Sequence, residues 1–379
     1  MDALASRRVV LIHDWLTGMR GGEKVLDIFC RRWPEAPLYT LLHRRGSVSA
    51  AIEDRPVRTS WLNWLPGVHH YYRYLLPLMP RAVRWGLPDC ELVLSTSHCV
   101  AKGVTPPLRI PHVCYCLTPM RYAWHMRRSY GWQGWKGWAA DRVLNRLREW
   151  DRKTAAHVTH FVAISRAVQE RIRECYGRDS VVIHPPVDTD YYFPDDTPRA
   201  DYYLAMSAFA PYKRFDLAIE TCNRLRRQLV VIGAGQDEKR LRSLAGPTIR
   251  FLGWQPDDAV RDHLRRCRAL LFPGEEDFGI VPVEAQACAT PVIAYGRGGA
   301  LDTVRPLGEV DRPTGVFFEE QTVECLTETI ERFEQHGDAF DPKTLRRHAL
   351  YFAQSRFERE IFGYVHHVLD QREVSRRAA

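Results

Sequence analysis

The stretch that most constrains this chain runs from residue 269 to residue 285. Its first four residues, Ala269-Leu270-Leu271-Phe272, are apolar without a break, as in a strand buried on both faces, and Pro273-Gly274 stops it. The acidic loop Glu275-Glu276-Asp277-Phe278-Gly279 follows. Ile280-Val281-Pro282-Val283-Glu284-Ala285 then opens a helix, because a proline fits a first helical turn. Glu276 therefore sits on the loop and Glu284 just inside the helix, beside the backbone N–H groups that a helix start leaves without partners. Two carboxylates next to an anion site suit a ligand that carries both sugar hydroxyls and phosphates.

The same strand–loop–helix alternation recurs along the chain. An apolar run at 8–12 leads through the glycine-rich turn 17–22 into a helical pattern from 23 to about 32, and further strands are expected at 92–95, 113–116 and 161–164. Residues 184–198 are rich in Pro and Asp and read as a linker, after which the alternation restarts with strands at 202–206, 229–232, 249–252, 269–272 and 292–294. The expected fold class is α/β. One Rossmann-like domain would cover residues 1–184, a linker 185–198, a second domain 199–348, and a closing helix with a tail 349–379. In a doubly wound sheet the loops gather at the C-terminal strand ends. The loop carrying Lys213 and Arg214 would thus open on the same crevice as the Glu276 loop, placing two cations where a diphosphate could be held.

Several function classes are excluded. No apolar run approaches the roughly 20 residues of a membrane span, and the first residues lack the apolar core of a signal peptide, so the expected compartment is the cytoplasm. The ten cysteines form no CxxC pair and no zinc spacing. Asp188-Thr189-Asp190 imitates a metal-binding triplet but lies in the linker, so no metal is expected. Gly233-Ala234-Gly235 follows a strand without completing GxGxxG, which disfavours a dinucleotide and leaves a simple turn or a ligand contact open. GxSxG, HExxH and a P-loop are also absent.

Charge is unevenly spread. Residues 1–190 carry 28 Lys and Arg against 17 Asp and Glu, the remainder 26 against 29, and ten of the eleven tryptophans precede residue 151. Two segments concentrate both features. Residues 61–85 hold Trp61, Trp64 and Trp85 among His, Tyr and Arg. Residues 121–153 hold Trp124, Trp132, Trp135, Trp138 and Trp150 among Arg127, Arg128, Lys136, Arg142, Arg146 and Arg148. Such segments either meet lipid headgroups, at the inner face of the cytoplasmic membrane, or fill the core of a large domain. Nucleic acid is not expected, since no helix-turn-helix, RRM or finger pattern accompanies the charge.

Glu276-Asp277-Phe278-Gly279-Ile280 with Glu284-Ala285 resembles the E-x-F-G-x4-E signature of retaining GT-B glycosyltransferases of family 4 (group 1), in particular the bacterial polysaccharide mannosyltransferase branch. Pro211-Tyr212-Lys213-Arg214 with Asp216-Leu217-Ala218-Ile219-Glu220 is similar to a second stretch of that family, and Phe251-Leu252-Gly253, Pro291–Ala294 and Gly298-Gly299 occupy the expected places. The resemblance implies two Rossmann-like domains facing across a cleft, with a C-terminal helix crossing back to the first. It also implies transfer of a hexose, with GDP-mannose favoured over a UDP-sugar, onto a glycan or lipid-linked acceptor for surface polysaccharide. Lys213 and Glu276 would act at the reacting centre. Arg214, Gly253, Phe278, Gly279, Ile280 and Glu284 would join them in holding the donor, with Glu284 on the ribose, and no cofactor or metal would be needed. Gly21, Gly22, His98 and Arg121 would lie on the acceptor side.

Three positions depart from the pattern: Ala208 stands where an arginine is usual, Leu117 where the active-site histidine of the first domain would fall, and Ala289 where glycine is usual. His98, His112 and His125 are near Leu117 in sequence but out of register. The first two departures keep open a nucleotide-sugar-binding protein of the same fold with impaired catalysis.

Overall fold

Parallel strands are buried on both faces and so read as unbroken apolar runs, and the runs picked out above all form strands. A computed structural model describes residues 4–124 and 134–378. His125, Arg127, Arg128 and Trp132 fall outside the described residues, as do the side chains of Trp135, Lys136 and Trp138. The chain divides into two units, Met1–His184 with Glu358–Ala379, and Pro185–Phe357.

The first unit holds β1 (Val9–His13), β2 (Leu38–Thr40), β3 (Val57–Thr59), β4 (Leu92–Ser97), β5 (His112–Cys116), β6 (His160–Ala163) and β7 (Ser180–Val182). All pair in parallel, in the order β3-β2-β1-β4-β5-β6-β7. The second unit holds β8 (Tyr203–Met206), β9 (Leu229–Ile232), β10 (Ile249–Gly253), β11 (Leu270–Phe272), β12 (Val292–Tyr295) and β13 (Gly315–Phe318), again parallel, in the order β10-β9-β8-β11-β12-β13. Each sheet reverses its winding once, between β1 and β4 and between β8 and β11. Ligands of doubly wound sheets bind at that reversal, beyond the strands' C-terminal ends.

The C-terminal stretch departs from the single closing helix expected from residue 349. Asp341 caps a helix at Pro342–Leu350, and a second helix runs Gln354–Ala378. The break is pinned from the linker: the Val187 N–H donates to the Phe352 carbonyl at 2.8 Å, and Val187 bridges to Ala353. No helix among the described residues is long and apolar enough to cross a membrane.

The tryptophans of the two segments, among the described residues, divide between the interior and the surface. Trp124 and Trp150 pack into the first unit's interior. Trp124 Nε1 donates to Asp151 Oδ2 at 2.8 Å, and the indole of Trp150 lies so close over Gly103 that a Cβ there would meet it at 2.4 Å. Asp151 is itself fully buried, ion-paired with buried Lys102 at 2.7 Å and accepting the Tyr176 hydroxyl at 2.8 Å. Trp61 and Trp64, by contrast, face outward, 41% and 79% exposed.

His112 opens β5 fully buried, its Nε2 2.7 Å from Ser95 Oγ on β4. Burial pushes its pKa down from 6.5 to about 3. Between those values the unfolded chain binds a proton that the folded chain refuses, so stability is whole above the unfolded pKa and falls as the pH drops through it. At about 1.4 kcal/mol per pH unit, acidification from pH 7 to pH 5 should cost about 2 kcal/mol at this residue. Urea denaturation at a series of pH values measures this, and His112→Gln should flatten the slope over that range.

Candidate active site

In the second unit the loop after β8 and the loop after β11 meet at the winding reversal. The first ends in a tight 3-10 turn, Pro211–Lys213, and Arg214 then takes a left-handed conformation (φ 53°) before the helix Phe215–Leu225. The second begins Pro273-Gly274. A Cβ on Gly274 would stand 2.8 Å from the Lys213 Cα and 3.0 Å from the Tyr212 carbonyl oxygen, so only glycine allows the two backbones to touch. That contact brings Lys213 and Glu276 together as an ion pair, Nζ to Oε1, with both side chains largely buried. The Lys213 ammonium also sits 5.2 Å from the Tyr212 ring centre.

Arg214 braces the same corner. Its guanidinium reaches Asp216 at 3.3 Å and Gln321 at 3.4 Å, and Gln321 Nε2 donates to the Pro273 carbonyl at 2.8 Å.

The Glu276 loop is cradled from its other side by Gly298-Gly299. The Gly299 N–H donates to the Glu276 carbonyl at 2.8 Å. A Cβ on Gly299 would come within 2.2 Å of the Phe278 Cα, and one on Gly298 within 2.4 Å of the Glu276 oxygen. Phe278 was expected against the donor, but its ring is 3% exposed and packs edge-on to Phe352, 5.7 Å between centres. Its side chain anchors the loop in the core. Gly279 (φ 87°) caps the helix Ile280–Ala287, on which Ile280 is partly exposed and Glu284 buried at 6% exposure. Burial, with the Glu284 carboxylate nearby, pushes the Tyr192 phenol well up. Gly253 ends β10 at φ 71° and is followed by Trp254, 76% exposed, a residue the sequence reading passed over.

Gly233 and Gly235 have a packing explanation. A Cβ on Gly233 would lie 1.9 Å from the Ser207 carbonyl oxygen, and one on Gly235 2.6 Å from that of Phe209. They let the β9 loop close on the β8 loop, where the Phe209 N–H donates to the Ala234 carbonyl at 2.9 Å. Asp188 Oδ1 is occupied as a turn acceptor for the Tyr191 N–H at 2.9 Å.

The first unit's winding reversal carries a different cluster. Asp14, directly after β1 and fully buried, accepts four backbone N–H groups: His98 (2.7 Å), Cys99 (2.9 Å), Val100 (2.7 Å) and Ala101 (2.8 Å). The His98 Nδ1 lies 3.2 Å from Asp14 Oδ2, its side chain 25% exposed, and its ring stands edge-on to Trp15 at 4.5 Å. Burial holds the His98 imidazole below its ordinary pKa although Asp14 opposes this. Beside it, His13 Nε2 stands 3.6 Å from Glu23 Oε1, and His13 Nδ1 is 2.7 Å from Thr96 Oγ1. Burial works to raise the Glu23 pKa, but the hydrogen bond and charge of His13 outweigh it and the net shift is downward. Gly21 and Gly22 begin the helix Gly21–Arg32. A Cβ on Gly22 would meet Leu117 Cδ1 at 2.6 Å and His13 Cε1 at 3.6 Å, so Leu117 closes over this cluster. Arg121 opens a short helix, Arg121–Trp124. Among the titratable groups of this cluster His98 was expected at the site and Asp14 and Glu23 were not, although an acid directly after β1 and another in the first turn of the helix opened by Gly21-Gly22 were the available signals.

Two family models cover nearly the whole of this architecture. "Glycosyltransferase Family 4" matches residues 12–191 and "Glycosyl transferases group 1" matches residues 196–349. The chain belongs to the family 4, group 1 glycosyltransferases of the GT-B fold. It is 26% identical to a GDP-mannose-dependent alpha-(1-6)-phosphatidylinositol monomannoside mannosyltransferase of Mycolicibacterium smegmatis over 198 residues, 44% of this chain and 50% of that one. The chain spans about half the length of the curated relatives it matches. In fold it is similar to sucrose-phosphate synthase from Thermosynechococcus elongatus (TM-score 0.71, 13% identity, 96% and 100% of the two chains). It is likewise similar to Anabaena HepE in complex with UDP (TM-score 0.65, 15% identity, 94% and 99%).

Ala289, which stands where glycine is usual, departs in its backbone. It is buried and left-handed at φ 61°, a conformation that its Cβ disfavours. Ala289→Gly should therefore raise stability by about 1 kcal/mol, read as a rise in the denaturation midpoint at an unchanged m-value.

Proposed function

We propose that the chain transfers a hexose from a nucleotide sugar, GDP-mannose in the first instance, to a glycan or lipid-linked acceptor of surface polysaccharide synthesis, with retention of anomeric configuration. The observation that carries this reading is the Lys213–Glu276 ion pair at the winding reversal of the second sheet. A bound diphosphate takes the Lys213 ammonium as its counter-charge, and Glu276 turns to the hydroxyls of the sugar. As the bond from the anomeric carbon to the phosphate breaks, negative charge grows on the leaving diphosphate, where a fixed cation is most effective. The acceptor hydroxyl attacks from the same face, and its proton passes to the departing phosphate. Glu284 binds the ribose, and the open indole of Trp254 offers a stacking surface for the base. In the first unit, His98, oriented by Asp14, meets the acceptor.

Mannose is favoured by the names of two relatives, both GDP-mannose-dependent mannosyltransferases. A UDP-sugar is the second reading, favoured by the UDP complexes of a protein with the same fold. Leu117 and Ala208 favour a third, a nucleotide-sugar-binding protein with impaired catalysis.

Purified protein incubated with GDP-mannose, UDP-glucose and other sugar nucleotides, plus lipid-linked acceptors, separates the three. Transfer from GDP-mannose, unchanged by EDTA and giving a product of retained configuration by NMR, is the expected result. Lys213→Ala should lower kcat about 10²–10³-fold, the scale of losing one charge-stabilising group, and Glu284→Ala should raise the KM for the donor. Calorimetric binding of a donor without turnover on any acceptor would select the impaired reading.

A further inference from the structure

Residues 55–88 contain five arginines and two histidines and no aspartate or glutamate. They fold as a layer of short helical turns, Trp61–Trp64, Val68–Tyr71, Tyr72–Leu78 and Met79–Ala82. One side of this layer is core: Leu62, Val68, Tyr72, Leu76, Met79, Ala82 and Val83 are buried in a single cluster of the first unit. The other side is open and largely aromatic or apolar, with Trp64 79%, Tyr74 84%, Trp61 41% and Leu78 39% exposed. Trp61 and Trp64 are three residues apart on a 3-10 turn, and so lie above one another on one face.

Large apolar side chains left in water by a folded layer mark an interaction surface. The cations name its partner. Arg58, Arg73, Arg81 and Arg84 are exposed around these aromatics, and Arg55 is turned inward to the backbone carbonyls of Cys30, Trp33 and Ala36. A protein partner would ordinarily be met by mixed charge. Indoles and a phenol among arginines with no acid over 34 residues match the headgroup level of an anionic bilayer, where amphipathic rings enter the interface and cations meet phosphates.

We infer that the outer face of residues 61–84, with Trp61, Trp64, Tyr74 and Leu78 as its apolar contacts and Arg73, Arg81 and Arg84 as its cations, docks the protein onto an anionic phospholipid surface. The face is coupled to the first unit's loop cluster through its own packing. Tyr72, on the inner side of the layer, stands 5.1 Å from Trp15, and Trp15 stands 4.5 Å from His98. On the transferase reading, an acceptor anchored in that bilayer would have its head group delivered next to His98; the docking itself does not depend on that reading.

The test is co-sedimentation of the full chain with vesicles of phosphatidylcholine alone or with phosphatidylglycerol added, without sugar donor, so that its failure is distinct from failure of the transferase reading. Binding is expected to the anionic vesicles, to fall steeply in 1 M salt, where the Debye length is about 3 Å, and to blue-shift tryptophan emission. The exposed-residue double variant Trp64→Ser/Tyr74→Ser should keep the wild-type melting curve and lose at least tenfold in vesicle affinity. Arg81→Gln/Arg84→Gln should reduce the preference for anionic over neutral vesicles. Absence of vesicle binding, or binding that both variants leave unchanged, overturns the assignment and leaves the face to a protein partner.

Discussion

The second unit depends on backbones approaching one another more closely than any side chain would permit. Gly274 lets the Lys213 turn touch the Glu276 loop, and Gly298 with Gly299 closes on that loop from the far side. Each contact has a missing Cβ as its condition, since an added carbon would stand within 3 Å of backbone atoms that cannot move aside. The result is a short acidic loop held on both flanks, with Phe278 driven into the core as its anchor. An ammonium and a carboxylate are thereby fixed against each other with little water around them. Pre-organisation of this kind is what makes a single cation effective against charge that develops during a reaction.

The first unit reaches a similar end by another route. Its winding reversal is held by a buried carboxylate. Asp14 gathers the four N–H groups of residues 98–101, a full set of orphan donors at the start of a turn. The same carboxylate faces the His98 ring. The turn and the imidazole are therefore set by one residue, and Leu117, packed over Gly22 and beside His13, shields the neighbouring His13–Glu23 pair. The histidine expected at position 117 is replaced by a hydrocarbon, and the partly buried imidazole of His98, just beyond the end of the adjacent strand, is the one that faces Asp14.

Much of this was legible in the chain itself. Nine of the thirteen parallel strands among the described residues read as apolar runs, because burial on both faces leaves no polar alternation; β2, β3, β7 and β13 do not stand out in this way. The Lys213 and Glu276 loops could be assigned to one corner because doubly wound sheets gather their loops at one end. Other features could not be read so. Phe278 lies inside a signature that implies ligand contact, yet its burial depends on Phe352, 74 residues later. Ala289 stands where glycine is usual, but only the backbone shows that the position is left-handed. The tryptophans of two similar segments went different ways, Trp124 to a buried carboxylate and Trp64 to the surface, because a partner such as Asp151 is supplied by the fold and not by the neighbouring residues.

The sequence by itself determined the class of fold and the residue types at the candidate donor site. These follow from local rules: apolar period, turn chemistry, and the residues that a helix start accepts. Tertiary structure decided which of those residues touch. It paired Lys213 with Glu276, gave Arg214 to Asp216 and Gln321, turned Phe278 inward, and left Trp61, Trp64 and Tyr74 outside. The reason is that contact is set by distances across the sheet, and those depend on how closely backbones far apart in the chain can approach.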